Sequence, residues 1–73
     1  MSEQELMKLS MVKDLALLLM ESNLTLSMEQ ALSIVLNSDT YQRLQNEATR
    51  LYYQSPRYVY SFLENELKTG MVR

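Results

Sequence analysis

Apolar residues recur at helical spacing along almost the whole chain, and the polar positions between them mark where each helix starts. From Leu6 onward one row runs Leu6, Leu9, Val12, Ala16, Leu19, and a second runs Met7, Met11, Leu15, Leu18. Steps of three and four place each row along one side of a helix. Together the rows make an apolar face so wide that the first helix is expected to be central, or covered on two sides. Ser2 followed three residues later by Glu5 is a capping-box pattern, in which each side chain takes an orphan backbone N–H at the helix start. The pattern predicts a helix over 3–22, with Asn23 as a left-handed stop.

Ser27 and Gln30 repeat the capping pattern, and Leu26 with Ala31 fits a hydrophobic staple across that start. Ala31, Leu32, Val35 and Leu36 then form the inward side of a second helix over 28–36. A third is expected over 40–53, starting at Ser38 or Asp39 with Asp39 and Gln42 as its box. Its stripe is Tyr41, Leu44, Ala48 and Leu51, widened by Tyr52, and Arg43, Glu47 and Arg50 would pair on the opposite side at spacings of three and four. A break near Glu47, leaving a loop before Leu51, is the alternative. Ser55-Pro56 opens the fourth helix, over 56–68, because proline at the first helical position loses no hydrogen bond and serine before it is a good cap. Val59, Phe62, Leu63 and Leu67 are its stripe. Gly70 would close it, Lys68 would complement the helix dipole, and Met71 to Arg73 would form a frayed tail.

The expected fold is therefore an all-α bundle of four short-to-medium helices in one domain of 73 residues. Composition agrees. A single glycine and a single proline cannot supply the turns of an all-β protein, and a hydrophobic share of 47% is too high for a disordered chain. A domain near this size buries only roughly 60% of its unfolded surface. With no cysteine or histidine it has neither a disulfide nor a zinc site to reinforce it. Association with a second copy, as a homodimer, or with another protein is the expectation.

The same absences narrow the chemistry. Without histidine there is no side chain whose ordinary pKa lies near neutrality to act as a base, and neither a cysteine nucleophile nor a Ser–His–Asp arrangement can be built. Glu64 and Glu66 are the nearest carboxylate pair on the fourth helix, but residues two apart point in different directions. One glycine cannot make a phosphate-cradling loop, and no oxygen-ligand loop for calcium occurs. Neither catalysis nor a cofactor or metal is expected.

A formal net charge of −2 is unlike the basic stripe of a nucleic-acid binder. Leu26-Ser27-Met28-Glu29-Gln30-Ala31 resembles the opening of a helix-turn-helix. The following turn at Asn37-Ser38 comes late and lacks glycine, and Glu47 stands between Arg43 and Arg50. Two bundle helices are the better reading. The longest apolar run, Leu15 to Met20, is far short of the ~20 residues of a membrane span. The acidic Ser2-Glu3-Gln4-Glu5 opening is unlike a secretory signal. No nucleic acid and no membrane is expected as partner, and the expected location is cytoplasmic.

Six methionines and five tyrosines remain. Met7, Met11 and Met20 lie in or beside the apolar rows and read as core filler, in preference to a methionine-rich groove for partner helices. Tyr41 and Tyr52 fit the third stripe. Tyr53, Tyr58 and Tyr60 cannot all be inside so small a domain. Each either caps the core edge with its hydroxyl in water or lies at the margin of an interface, and Arg57 is the natural companion there. Tyr53, Arg57, Tyr58 and Tyr60 are the candidate partner-binding residues.

The stretch from Asn37 to Leu67 carries a resemblance. Asn-Ser-Asp-Thr-Tyr at 37–41, Thr-Arg-Leu-Tyr-Tyr-Gln-Ser-Pro at 49–56, Tyr-Val-Tyr at 58–60 and Leu-Glu-Asn-Glu-Leu at 63–67 resemble small bacterial helical proteins of unknown function. Members of that group resemble components of toxin–antitoxin-like gene clusters, some next to ADP-ribosyltransferase-like toxins. Many of them have glycine where this chain has Arg50. The resemblance covers a little under half the chain. It implies a partner-binding role, with neutralisation of a neighbouring toxin as the candidate, and carries over no functional residue.

Overall fold

The first start signal acts as the spacing predicts. In the computed structural model, which describes residues 2–69, Ser2 Oγ accepts from the Glu5 N–H at 3.1 Å and the Glu5 carboxylate accepts from the Ser2 N–H at 2.9 Å. Helix α1 follows over Glu3–Ser22. It ends without a left-handed residue. Asn23 is extended, at φ −135°, and the chain turns through a Leu26 N–H to Asn23 carbonyl bond of 3.0 Å. Ser27 and Gln30 form the second reciprocal box, and α2 spans Met28–Leu36.

Helix α3 covers only Asp39–Gln45, so the continuous helix over 40–53 does not form. Its cap is Ser38, whose Oγ accepts from the Tyr41 N–H at 3.0 Å and donates to the Val35 carbonyl. The Asp39–Gln42 box is replaced by a contact from another helix. Glu66 accepts from the N–H groups of Asp39 and Thr40 at 2.7 and 3.0 Å and from the Thr40 hydroxyl at 2.8 Å. Two short 3-10 turns follow, η1 over Glu47–Thr49 and η2 over Leu51–Tyr53.

Side chains that compete with the helical backbone cause the break. Asn46 Oδ1 accepts from the Ala48 N–H at 3.0 Å, and the Thr49 hydroxyl lies 2.7 Å from the Arg43 carbonyl, in place of the Glu47 N–H a continuing helix would supply. Arg50 then reverses the chain at φ 52°, ψ 29°, the left-handed region that favours glycine. The reversal turns Leu51 and Tyr52 into the core while Ala48 stays exposed. Arg43, Glu47 and Arg50 consequently share no helix face, and Glu47 pairs instead with Lys8 at 3.6 Å.

Helix α4 spans Pro56–Thr69, opened by Ser55 Oγ accepting from the Tyr58 N–H at 3.2 Å. Gly70 and the Met71–Arg73 tail lie outside the described residues. Among the described residues there are four α-helices and no strand, so the protein is an all-α bundle. Helix α1 packs most extensively on α2, then on α4. Leu15, Leu19, Val35, Leu44, Val59 and Leu63 are fully buried, so every helix contributes to one core. Met11 lies within it, and Met7 and Met20 pack half-buried on its edge.

Several apolar positions expected inside are not. Leu6, Leu9, Leu36 and Leu67 remain about half exposed. Helix length explains the first two. Twenty residues of α1 run about 30 Å, but nine residues of α2 cover only about 13 Å. Leu36, the last residue of α2, lines a groove together with Glu5 and Leu9 of α1 and stays about half exposed there.

Candidate partner-binding surface

The four candidate residues do not gather into one site. Tyr53 is 60% exposed, its ring tilted against that of Tyr52 with centroids 4.8 Å apart. Tyr58 is 51% exposed and meets Phe62 edge-on at 5.2 Å. Tyr60 is half-buried, and its hydroxyl is 3.0 Å from Ser22 Oγ, joining α4 to the end of α1. Arg57 reaches Glu21 at 3.8 Å with both side chains mostly in solvent, a pair worth at most about 0.5 kcal/mol. Arg57 and Tyr58 are neighbours on the outside of α4, while Tyr60 serves the packing of α4 on α1.

Of the grooves along α1, two border its outer leucines, and both are lined mainly by residues not singled out as binding positions. The first, about 280 Å³, lies between the N-terminal half of α1 and the junction of α2 with α3. Leu9, Val12, Leu36 and Tyr41 make its apolar wall, and Glu5 and Lys8 its polar rim. The second, about 460 Å³, lies between α1 and the start of α4. Leu17, Leu18 and Pro56 line it, with Asp14, Glu21 and Arg57 at its edges. Between the grooves the outer ridge of α1 presents Leu6, Leu9 and Leu17, at 54, 53 and 43% exposure. The visible signal for this face is the width of the apolar rows in the first helix, which exceeds what one short neighbour can cover.

The rim residue Lys8 is positioned by the tertiary structure. Only 12% of its side chain is exposed, and its Nζ donates to the Gln45 carbonyl at 3.4 Å, pairs with Glu47 and lies 5.5 Å from the centre of the Tyr52 ring. It ties the end of α3 and both 3-10 turns to α1. Glu66 does the same between α4 and α3. A carboxylate seven residues after Val59 and three after Leu63 sits on the apolar side of α4, and that misfit is its sequence signal. Both charges are engaged in holding the fold.

Arg43 and Arg50 fall on different elements, so no continuous recognition helix carries both. Among the described residues no three His, Cys, Asp or Glu side chains converge on a point, and no helix is long and apolar enough to cross a membrane. In comparisons with known proteins, no family, no curated protein and no solved structure matches this chain.

Proposed function

We propose that this chain is a small non-enzymatic protein–protein interaction module, an antitoxin-like or regulatory subunit acting in the cytoplasm. The observation that supports this reading is the bare apolar ridge of α1, with Leu6, Leu9 and Leu17 left in solvent between two grooves. Exposed leucines on one face of a helix, beside two grooves with apolar walls, support this reading because monomeric proteins keep exposed apolar surface small unless something binds there. The antitoxin-like role comes from the resemblance over residues 37–67. Tyr58 and Arg57 offer a smaller accessory surface on α4.

The test is co-purification of the tagged chain with its neighbours, using the wild type beside the double variant Leu9→Glu, Leu17→Glu. The reading expects one companion at fixed stoichiometry with the wild type, lost with the double variant while circular dichroism stays helical. Retention of the companion by the folded double variant moves the interface off α1. Capture of nothing but an untagged second copy replaces this reading with a structural homodimer. Capture of nothing at all refutes it.

A further inference from the structure

The bare ridge of α1 is edged mainly by charge of one sign. Glu3, Asp14 and Glu21 are spaced by eleven and seven residues, about three and two turns, so they line the same side of the helix. Glu5 stands on the other side, at the rim of the first groove. The opposing charges are Lys13 within the ridge and Arg57, which pairs with Glu21 at the edge of the second groove, since Lys8 is turned inward onto Glu47 and the Gln45 carbonyl. Four exposed or half-exposed carboxylates against Lys13 and Arg57 leave an acidic excess of two on this one face.

Building on the reading of the chain as an interaction module, we propose that this face docks an amphipathic helix of a partner protein whose apolar side is bordered by Lys or Arg. The ridge and its two grooves supply apolar area for leucine-sized side chains arriving at helical spacing, the helix-in-groove mode of recognition. The carboxylate row supplies the selection. Opposite charge at the rim of an apolar contact speeds encounter and rejects partners of the wrong sign. A second copy of this chain is disfavoured at this face. Packed antiparallel, it would set Glu3, Asp14 and Glu21 against the same row. Packed parallel, it would set that row against Glu5.

A defined probe tests the partner chemistry. A synthetic helical peptide of about 18 residues, five turns, carries leucines at three- and four-residue spacing with lysines on both flanks. One control replaces the lysines with glutamates, and another keeps the composition but scrambles the order. Backbone amide shifts of the isotope-labelled full-length protein report where each binds.

The expected result is saturable binding of the lysine-flanked helix, with shifts concentrated on α1 from Leu6 to Glu21. The glutamate and scrambled peptides should bind at least roughly tenfold more weakly, a difference of about 1.4 kcal/mol. The double variant Asp14→Lys, Glu21→Lys should lose the same factor, and added salt should weaken the wild type but not that variant. Leu17→Ser should weaken binding at every salt concentration. Each residue is on the surface or half-buried, and circular dichroism of each variant checks that it folds.

Equal binding of the scrambled peptide overturns the proposal, because charge alone then suffices. So does binding of the glutamate-flanked peptide, or a shift pattern centred off α1. No saturation at millimolar peptide overturns it too. A companion protein still captured through α1 in that case leaves the interaction reading standing and removes only the basic-helix chemistry.

Discussion

The two halves of α1 both carry leucines at helical spacing, three apolar residues of eight from Glu3 to Ser10 and seven of nine from Met11 to Leu19, and those leucines meet opposite fates. From Met11 to Leu19 the helix is held by regular neighbours, and Leu15 and Leu19 are fully buried against α2 and α4 side chains such as Val35 and Val59. From Glu3 to Ser10 it faces the end of α3 and the two 3-10 turns. There Leu6 and Leu9 stay half in water, and Lys8 makes the long-range contacts through a carbonyl, a carboxylate and a ring face. One half is stabilised by buried area, the other by a few directed polar contacts. A leucine is worth what covers it: Leu6 and Leu9 have the hydropathy of Leu15 and Leu19 but not their burial.

The comparison breaks most visibly at Leu15. Leu15→Ala leaves a cavity among fully buried neighbours and should cost about 3 kcal/mol, a fall of about 15 °C in melting temperature for a domain of this size. A loss below about 1 kcal/mol in urea denaturation would mean the C-terminal half is not the centre of stability.

Next comes the platform that faces the N-terminal half. Glu66→Ala removes the acceptor for two backbone N–H groups and one hydroxyl of α3, and should cost about 2 kcal/mol. Hydrogen exchange should quicken at the Asp39 and Thr40 amides more than in α2. Uniform quickening across the chain would show instead that α3 opens only with the whole domain.

A change at Arg50 should sharpen the contrast with the opposite sign. A left-handed residue with a Cβ costs about 1 kcal/mol, so Arg50→Gly should raise stability by up to about 1 kcal/mol, while Arg50→Val should lower it because a β-branched residue resists positive φ. If both variants lower stability, an interaction of the Arg50 side chain matters more than its backbone.

The smallest effect is expected at Leu9. Leu9→Ser on the exposed ridge should change folding stability by no more than about 0.5 kcal/mol, although the same change is expected to weaken partner binding. A loss near that of Leu15→Ala would show that the ridge is part of the core.

Much of the fold was legible because its signals are local. Ser2 with Glu5, Ser27 with Gln30, and Ser55 before Pro56 each satisfy backbone groups within four residues of themselves. The starts of α1, α2 and α4 therefore need no knowledge of the rest of the chain. The third helix carries two conflicting local signals, and of the two expectations it is the break near Glu47 that forms. Its apolar spacing runs on through Ala48 to Leu51, but Asn46 and Thr49 offer the backbone alternative partners, and the left-handed Arg50 redirects Leu51 and Tyr52 onto α1. The tyrosine surface was legible only by composition. Tyr53 and Tyr58 are exposed as expected, yet nothing in their spacing shows that Tyr60 turns inward to Ser22 or that the grooves form around α1.

By itself, then, the sequence determined an all-α bundle, the starts of three helices, most of the core stripe and the absence of histidine and cysteine chemistry. The tertiary structure alone decided that Glu66 and Lys8 close the gaps between elements, and which leucines stay bare. Capping and periodicity act over a single turn and can be read in order along the chain. Burial depends on which element arrives opposite and how long it is, and a nine-residue helix cannot cover a twenty-residue one.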